Sequence, residues 1–568
     1  MCVGHHFVFR NGRFFQARAP VGRRLEATFA EALVAKDGVI TFVGPESAAA
    51  VREATAAGAK VRDLGGRVAM PGFIDAHVHL MALGLALNKL GLEHCTGLRD
   101  IRAVISEYAA ANPHLPRIFC RGWMHSMTPE GAKASLIDDL DSRPILITSK
   151  DLHSTWCNSA ALAELDLDDE PDPPGGTIER DPVTGKPSGV ISEAANMKFM
   201  GPYMARISTM ADRIAALRVA IDEYNRCGYT GLIDMTMEPN SWAAISELRR
   251  QEKAAGRRIP MRIAAYWLIL PKDDTQEEIK QVEQAAQLAE QCRQDGDVDC
   301  RIVGIKLVCD GIVDGLTASL KEPYSHNMHR TDPVWPPEKL APVVAAATKH
   351  GLQIALHAIG DRTIAGAVGV IEQLPACAPL RPRIEHLELT AEEDAKRLGK
   401  LGITASVHPV HADPAILKAW PLLIGPKRCL RAFAYREFVD GGAPLAVGSD
   451  APSAPHQLAH NLYVATTRRS AREPALETVV NGHFALTLWE TIVGMTQGGA
   501  RTIFAEHRIG SLEVGKRADL VVMDAGWDLE KLLETTKVAE TWFDGQQVYC
   551  AAAESPAALT AHYPMRFI

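Results

Sequence analysis

The sequence predicts a (β/α)8 barrel of the TIM type, joined to a small β-sandwich that both ends of the chain build. Eight short apolar segments recur through the middle of the 568-residue chain, and the stretches between them show helical periodicity. Both ends show short alternating segments punctuated by glycine. Eight strands that alternate with helices are typical of a parallel barrel, whose chemistry lies at the carboxyl ends of its strands. An open doubly wound sheet is the alternative, but the strand count and the β-rich ends favour the barrel.

The two ends of the chain supply the strands of the predicted sandwich. We assign residues 1–69 and 508–550 to this composite domain, and residues 551–568 to a C-terminal tail. Polar and apolar residues alternate there, as they do in strands with one buried face. The segments with this pattern are 7–14, 39–44, 518–524 and 541–548.

Residues 70–507 hold the predicted barrel. Helical periodicity fills the connections, for example in Lys339–Lys349 and Ala391–Leu398. The strand count requires that residues 80–225 form an insertion after the first strand, and we expect this insertion to fold over the barrel mouth. The predicted strands are Gly72–Asp75, Tyr229–Asp234, Met261–Leu268, Ile302–Leu307, Gln353–His357, Arg383–His386, Ile403–Val407 and Leu445–Gly448.

Composition and charge argue against several classes of function. Apolar residues make up 47% of the chain and charged residues 23%, which excludes disorder as the main state. The formal net charge is −8, so the chain lacks the basic excess that holds nucleic acid. No signal peptide and no membrane-spanning apolar stretch is evident in the sequence. Eleven cysteines without a C-x-x-C pair are typical of reduced thiols, so we expect a cytoplasmic protein.

Histidines and a carboxylate lie at the ends of four predicted strands. His77 and His79 are two residues apart after the first strand, so they face the same side and can converge on one cation such as Zn²⁺. His357, His386 and Asp450 end three later strands. Taken singly, each histidine is equally consistent with a packed core residue, and Asp450 with a helix cap.

Lys306 lies inside an otherwise apolar strand, where an unpaired ammonium group is costly to bury. Two solutions stay open. The ammonium can form an ion pair with Asp310 or Asp234, or the amine can react with CO2 to give an N-carboxylate that bridges two metal ions. In a barrel this lysine, the four histidines and Asp450 all point into one mouth, and that combination of residue types predicts a metal site.

The order of these residues resembles that of the amidohydrolase superfamily, and in finer detail amidohydrolase family 3, the branch that includes N-substituted formamide deformylase. The resemblance covers nearly the whole chain. The segments that carry it are Pro71–His79, Asp151–Leu162, Gly175–Asp181, Gly189–Ala194, Lys306, Asp310-Gly311, Leu356–Asp361, Ile384–His386, Gly448–Pro452 and Gly510–Leu520.

The resemblance implies a metal-dependent hydrolase that cleaves a C–N bond of amide, N-acyl or N-formyl type in a small molecule. Asp450 would be a ligand or a proton-transfer group, Lys306 a modified bridging ligand, and His386 a ligand or a polarising group. A deaminase, an isomerase or a lyase with the same site is the alternative, and a non-catalytic scaffold is a further one. One or two divalent ions, zinc first, are expected, and a homodimer is the assembly we expect for this size and class. The implied metal ligands are His77, His79, Lys306, His357, His386 and Asp450.

Seven residues outside the set of implied metal ligands are candidates for contact with substrate. The alternative is that these side chains only pack within loops. His408-Pro409 stands where many relatives carry Gln-Pro, and His411 follows. These two histidines could touch substrate, hold an additional metal or merely pack. The substrate candidates are Trp123, His125, Asp151, His153, Asp310, Tyr324 and His408.

Overall fold

A computed structural model describes residues 6–18, 25–92, 94–150, 154–173 and 176–553 of the chain. The chain divides into two compact units. One unit takes the chain up to Leu80 and again from Ile221 to Ala553, and the other takes Met81–Ala220.

The first unit contains an eight-stranded parallel sheet in which every strand pairs with its neighbour in sequence. After the eighth strand, Asp450 N donates to His77 O at 2.8 Å and His79 N donates to Ala451 O at 2.9 Å, so the last strand end joins the first. The predicted (β/α)8 barrel is therefore confirmed. Its strands are β1 Phe73–Val78, β2 Tyr229–Met237, β3 Arg262–Leu268, β4 Cys300–Val308, β5 Gln353–Ala358, β6 Arg383–His386, β7 Thr404–Val407 and β8 Leu445–Val447.

Helices follow the barrel strands, and side-chain caps fix where several of them begin. Glu238 accepts from Ser241 N and Asp274 accepts from Gln276 N, which satisfies amide groups of the first turn. None of the described helices is both long and apolar enough to cross a membrane. The longer helices of this unit are Ala49–Ala56, Pro239–Ala254, Thr275–Gln294, Pro337–Lys349, Asp361–Gln373, Glu392–Lys400, Tyr435–Asp440, Leu458–Thr467 and Leu488–Val493.

Strands from both ends of the chain form two further sheets, as predicted for the composite sandwich. The four-stranded sheet comes from the N-terminal part alone, whereas the six-stranded sheet combines both ends. A shared core that includes Phe9, Leu33, Leu520 and Trp542 lies between them. In sheet order the strands are Val39–Gly44, Ala32–Lys36, His6–Arg10 and Lys60–Asp63, then Gln546–Cys550, Lys537–Phe543, Leu520–Asp524, Val68–Pro71, Arg13–Arg18 and Glu26–Ala30.

Glycines allow a helical segment to pack directly against the strands that end at the mouth. A Cβ on Gly498 would lie 2.1 Å from Leu445 O of β8, and one on Gly499 would lie 2.9 Å from Ile74 Cβ of β1. Neither neighbour is the free end of a flexible side chain, so the backbone itself would have to move. These contacts fix the position of β8, the strand that leads to Asp450.

We expect Gly498→Ala to destabilise the barrel by about 1–3 kcal/mol, because the added methyl group overpacks this contact. Gly369→Ala is the matched control, since no atom lies within 4 Å of its Cβ position in the helix Asp361–Gln373. That change should stabilise by about 0.5–1 kcal/mol through helix propensity. Thermal unfolding of both variants measures the two shifts, and equal midpoints would contradict the packing argument.

The second unit, Met81–Ala220, lies within the predicted insertion of residues 80–225 and has a sheet and two hydrophobic cores of its own. Ile145 and Ile147 enter one core, and Leu146 between them enters the other. Its placement over the barrel mouth stays a prediction. In sheet order its strands are Gly176–Arg180, Pro187–Glu193, Ser154–Cys157, Ile145–Ser149, Ile118–Trp123 and Leu90–Gly91, and the helices of this region are Leu80–Leu87, Leu98–Ala111, Ser159–Leu165, Ala194–Ile207 and Met210–Arg226.

Candidate metal centre

The six predicted metal ligands lie at the carboxyl end of the barrel sheet. Each comes from the end of its strand because parallel strands all finish at the same edge. All except His79 and His357 are almost fully buried, with at most 6% of their surface exposed. The strand ends that supply them are β1 for His77 and His79, β4 for Lys306, β5 for His357, β6 for His386 and β8 for Asp450.

His77, His79 and Asp450 form one close group. Nε2 of His77 lies 3.2 Å from Asp450 Oδ1, and Nε2 of His79 lies 2.9 Å from the same oxygen. Although burial alone raises the pKa of Asp450, the two imidazoles hold that pKa well below its usual range. An anionic carboxylate beside two imidazole nitrogens is a donor set that suits a divalent metal.

The other ring nitrogen of each β1 histidine has a partner that fixes its orientation. His77 Nδ1 lies 2.7 Å from Glu385 Oε2, and His79 Nδ1 lies 2.8 Å from Thr236 Oγ1. Glu385 is fully buried and also forms an ion pair with Arg383. Burial raises the pKa of Glu385, but the guanidinium of Arg383 and the bond from His77 bring that pKa well below its usual range. Because a carboxylate only accepts, Nδ1 of His77 donates to Glu385, and this bond fixes the ring with Nε2 toward Asp450 Oδ1.

Sequence analysis missed Glu385 as a site residue, although a signal was present. Arg383 and Glu385 alternate within a four-residue strand in which every residue is buried. Two charged residues two positions apart on a buried strand face the same side and require each other as partners.

We expect Glu385→Gln to weaken metal binding about 10–100-fold, because the amide no longer orients and polarises His77 as a carboxylate does. The variant should also lose about 3–5 kcal/mol of stability, since it leaves the Arg383 charge unpaired. Zinc titration and thermal unfolding measure the two effects. Glu278→Gln, a buried glutamate on the helix Thr275–Gln294, is the control that should leave metal affinity unchanged.

Three further imidazoles pack beside this group. The ring of His386 lies 4.2 Å from that of His357 and 4.6 Å from that of His408, between centroids. Burial lowers the pKa of His357 to about 3 and the pKa of His386 and His408 well below the usual range. Among the described residues, His357 Nε2, His386 Nδ1 and both nitrogens of His408 find no hydrogen-bond partner. Neutral, buried imidazoles without partners are suited to hold a metal or a ligand.

His411 joins the site from the loop after β7. Its Nε2 lies 3.4 Å from Asp450 Oδ2, and its Nδ1 lies 3.2 Å from Glu388 Oε1. Although burial opposes it, the hydrogen bond to Glu388 and the charge of Asp450 raise the pKa of His411. The structure thus brings both His408 and His411 into the site. It also brings in Glu388, a residue that sequence analysis did not name.

Lys306 is 2% exposed and forms no ion pair with a described carboxylate. The sequence left open an ion pair between Lys306 and Asp310 or Asp234, and the structure shows neither pair. Burial lowers the pKa of its amine to about 8, although the charges of Glu385 and Asp450 oppose that shift. A lowered pKa increases the fraction of neutral amine, which is the form that reacts with CO2.

Asp310 and Tyr324, two predicted substrate contacts, hold loops together. The carboxylate of Asp310 accepts backbone amides from Ser319, Ile359 and Gly360 at 2.9–3.0 Å. Burial raises its pKa to about 7 against those bonds. Tyr324 donates its hydroxyl to Ala318 O at 3.0 Å and is 1% exposed. These contacts account for both residues structurally, and contact with substrate stays a prediction for them.

The remaining predicted contacts belong to the second unit. Trp123 is buried there, donates from Nε1 to Thr128 Oγ1 at 3.2 Å, and has the ring of His125 at 4.4 Å. Asp151 and His153 lie outside the described residues.

Left-handed backbone marks the site. His386 has φ +74°, Leu387 has φ +55° and Asp450 has φ +62°. Such conformations cost about 1–3 kcal/mol each for residues other than glycine and persist where the surrounding structure imposes them, often at functional sites. The two successive left-handed residues turn the chain after β6, and Glu388 follows this turn.

A model of the amidohydrolase family matches residues 60–549, and the chain therefore belongs to the amidohydrolase family. This confirms the resemblance that the motifs predicted. Membership of this family supports a hydrolase, and the site offers several groups of residues that could hold a metal.

The similarity to individual proteins extends over almost the full chain. Protein LONG AFTER FAR-RED 3 of Arabidopsis thaliana is 28% identical over 546 residues, which cover 92% of this chain and 88% of that protein. N-substituted formamide deformylase of Arthrobacter pascens is 26% identical over 547 residues, or 91% and 94% of the two chains. The crystal structure of an uncharacterized metal-dependent hydrolase from Pyrococcus furiosus aligns with a TM-score of 0.73 at 23% identity, covering 92% and 99%. This last similarity concerns the fold.

Proposed function

We propose that the protein is a metal-dependent hydrolase that cleaves a C–N bond of amide, N-acyl or N-formyl type in a small molecule. The observation that carries the proposal is the convergence of His77 and His79 on Asp450 Oδ1 at the barrel mouth. The similarity to N-substituted formamide deformylase supports an acyl-type C–N bond as the target. The unpartnered nitrogens of the neighbouring histidines support a bound metal.

The donor set fits one or two divalent ions, with zinc as the first candidate. His77, His79 and Asp450 would hold one ion, and His357, His386 and Lys306 would complete a second position. When bound, the metal lowers the pKa of a coordinated water toward about 7 and polarises a carbonyl group.

Asp450 is placed to move protons. Its Oδ1 faces the β1 histidines, whereas its Oδ2 accepts from Ser453 Oγ at 2.7 Å and lies near His411. The carboxylate is anionic because the imidazoles hold its pKa low. A low pKa makes this carboxylate a weak base, so it would take a proton from water only as that water adds to the carbonyl carbon and becomes acidic, and it would then pass the proton to the departing nitrogen.

Lys306 acts as an N-carboxylate in this proposal. Its neutral amine attacks CO2, a C–N bond forms, and the amine proton leaves to solvent. The product carries a negative charge in place of a positive one. This change would remove the repulsion between an ammonium group and a bound cation, and the carboxylate would supply an anionic oxygen ligand beside His357 and His386.

A panel of N-formyl, N-acyl and simple amide compounds tests the proposal, with zinc-loaded and chelated protein compared side by side. We expect formate or another carboxylic acid and the free amine in equal amounts from the loaded protein alone. Ammonia release from amino-substituted rings would instead identify a deaminase. A product isomeric with its substrate would identify an isomerase, and absence of turnover across the panel would favour the scaffold alternative.

A further inference from the structure

A second group of potential ligand atoms lies beside the proposed metal centre. It consists of His386 at the end of β6, Glu388 two residues later and His411 after β7. We propose that these three residues hold a separate divalent cation, in addition to the ions held by the amidohydrolase ligand set. This position would exist whichever bond the enzyme cleaves.

The distances within the group match those between ligands of one ion. Glu388 Oε1 lies 3.2 Å from His411 Nδ1 and 3.8 Å from His386 Nδ1, and the three ligand atoms all lie within 4.8 Å of one another. Ligands that bind zinc tetrahedrally at about 2.0–2.2 Å are separated by roughly 3.3–3.6 Å. The two distances from Glu388 therefore lie within a few tenths of an ångström of that range, and the third separation is at most 4.8 Å.

His386 Nδ1 supplies an independent reason to expect a ligand. It is buried and, among the described residues, has no hydrogen-bond partner, and Glu388 Oε1 lies 3.8 Å away from it. His386 can serve both positions only as an imidazolate, with one nitrogen toward each ion, so binding of the second ion would release its N–H proton to solvent. The ring of His386 also lies 5.3 Å from that of His77. It is therefore the natural residue to be shared between the two positions.

The backbone after β6 places the carboxylate of Glu388 here. Two successive left-handed residues, His386 and Leu387, turn the chain after β6, and Leu387 N donates to Ala358 O at 3.1 Å. Glu388 is 5% exposed, so its carboxylate is withdrawn from bulk water, and within the described part of the chain His411 is the side chain that hydrogen-bonds to it. A buried carboxylate next to imidazole nitrogens gains more from a cation than an exposed one does.

The chemistry of the group favours Zn²⁺, Co²⁺ or Ni²⁺ over Mg²⁺ or Ca²⁺. Two imidazoles and one carboxylate form a borderline donor set, and the same set occurs in zinc enzymes that keep a coordination position open. Binding would displace the proton that now lies between His411 and Glu388. The open position would then accept an oxygen donor, such as a carboxylate or carbonyl group of the substrate.

Zinc stoichiometry tests the proposal without reliance on activity. Full-length protein is dialysed to equilibrium against low micromolar Zn²⁺, and bound zinc is measured by elemental analysis. We expect Glu388→Gln and His411→Asn each to bind one equivalent less than the wild type. The exposed-site variants Glu392→Gln and His350→Asn make the same chemical changes outside the cluster and should bind the full number.

Further variants separate this position from the first centre. His79→Asn should lose the zinc equivalent of the first centre, which Glu388→Gln and His411→Asn both keep. The double variant His79→Asn/Glu388→Gln should lose two equivalents of zinc. Thermal unfolding identifies any variant that fails to fold. If Glu388→Gln or His411→Asn fails to fold, the zinc content of the other one tests the proposal. Wild-type stoichiometry in both Glu388→Gln and His411→Asn would overturn the proposal, even if His79→Asn loses zinc and the first centre stands.

Discussion

Asp450→Asn is expected to lower turnover by roughly 10²-fold or more, while the melting temperature changes little and the first metal, still held by His77 and His79, binds more weakly. The amide keeps the shape of the carboxylate, and its oxygen can still face Nε2 of His77 and His79. It cannot, however, accept a proton at neutral pH. Because the structure places Asp450 Oδ2 toward Ser453 and His411 rather than toward a helix amide, loss of the proton acceptor is the main consequence.

Steady-state kinetics and elemental analysis on the same preparation check this result. Asp440→Asn is the matched control, since that carboxylate is exposed at the end of the helix Tyr435–Asp440. Near-native turnover in Asp450→Asn would show that the residue has a structural role and that the proton path runs elsewhere. Loss of all bound zinc in this variant would make Asp450 primarily a ligand.

Lys306→Ala is expected to remove one metal equivalent and most of the activity. Among the described residues no carboxylate forms an ion pair with Lys306, and burial lowers its pKa to about 8 against the charges of Glu385 and Asp450, so the neutral amine that carboxylation needs is accessible. Alanine leaves a space where the bridging carboxylate would lie. Short carboxylic acids with added zinc should fill that space and restore part of the activity.

Mass spectrometry under non-denaturing conditions and zinc analysis measure this prediction. The native protein should carry the mass of one added CO2, which acid treatment removes. Lys396→Ala, on the exposed face of the helix Glu392–Lys400, is the control. An unmodified Lys306 in a protein that holds its full complement of metal would contradict the bridging role.

Most of the barrel could be predicted from the sequence because its strands are short apolar runs between helices with clear periodicity. Segments such as Gln353–His357 and Arg383–His386 match the observed strands to within one residue. The sheet of the second unit was not predicted. Its strands pair in mixed directions, and Ile145–Ser149 has hydrophobic residues on both faces, so no alternation distinguishes it from a buried helix.

The site was predictable where residue types recur at strand ends, as for His77, His79 and Asp450. Glu388 could not be found in this way. It reaches the site only because His386 and Leu387 adopt left-handed backbone, and no local pattern in Ile384–Thr390 signals that turn. The bonds of Asp310 to the backbone amides of Ser319 and Ile359 could not be predicted either, because they depend on how the loops after β4 and β5 fold, and its contact with substrate stays a prediction.

The metal content of the protein, measured together with its activity before and after chelation, tests the central claim most directly. We expect protein purified without chelator to contain at least one equivalent of a divalent ion, with zinc predominant. Exhaustive chelation should abolish turnover of an N-acyl or N-formyl substrate, and added zinc should restore it. Less than about a tenth of an equivalent, with activity intact after chelation, would contradict a metal-dependent mechanism at His77, His79 and Asp450.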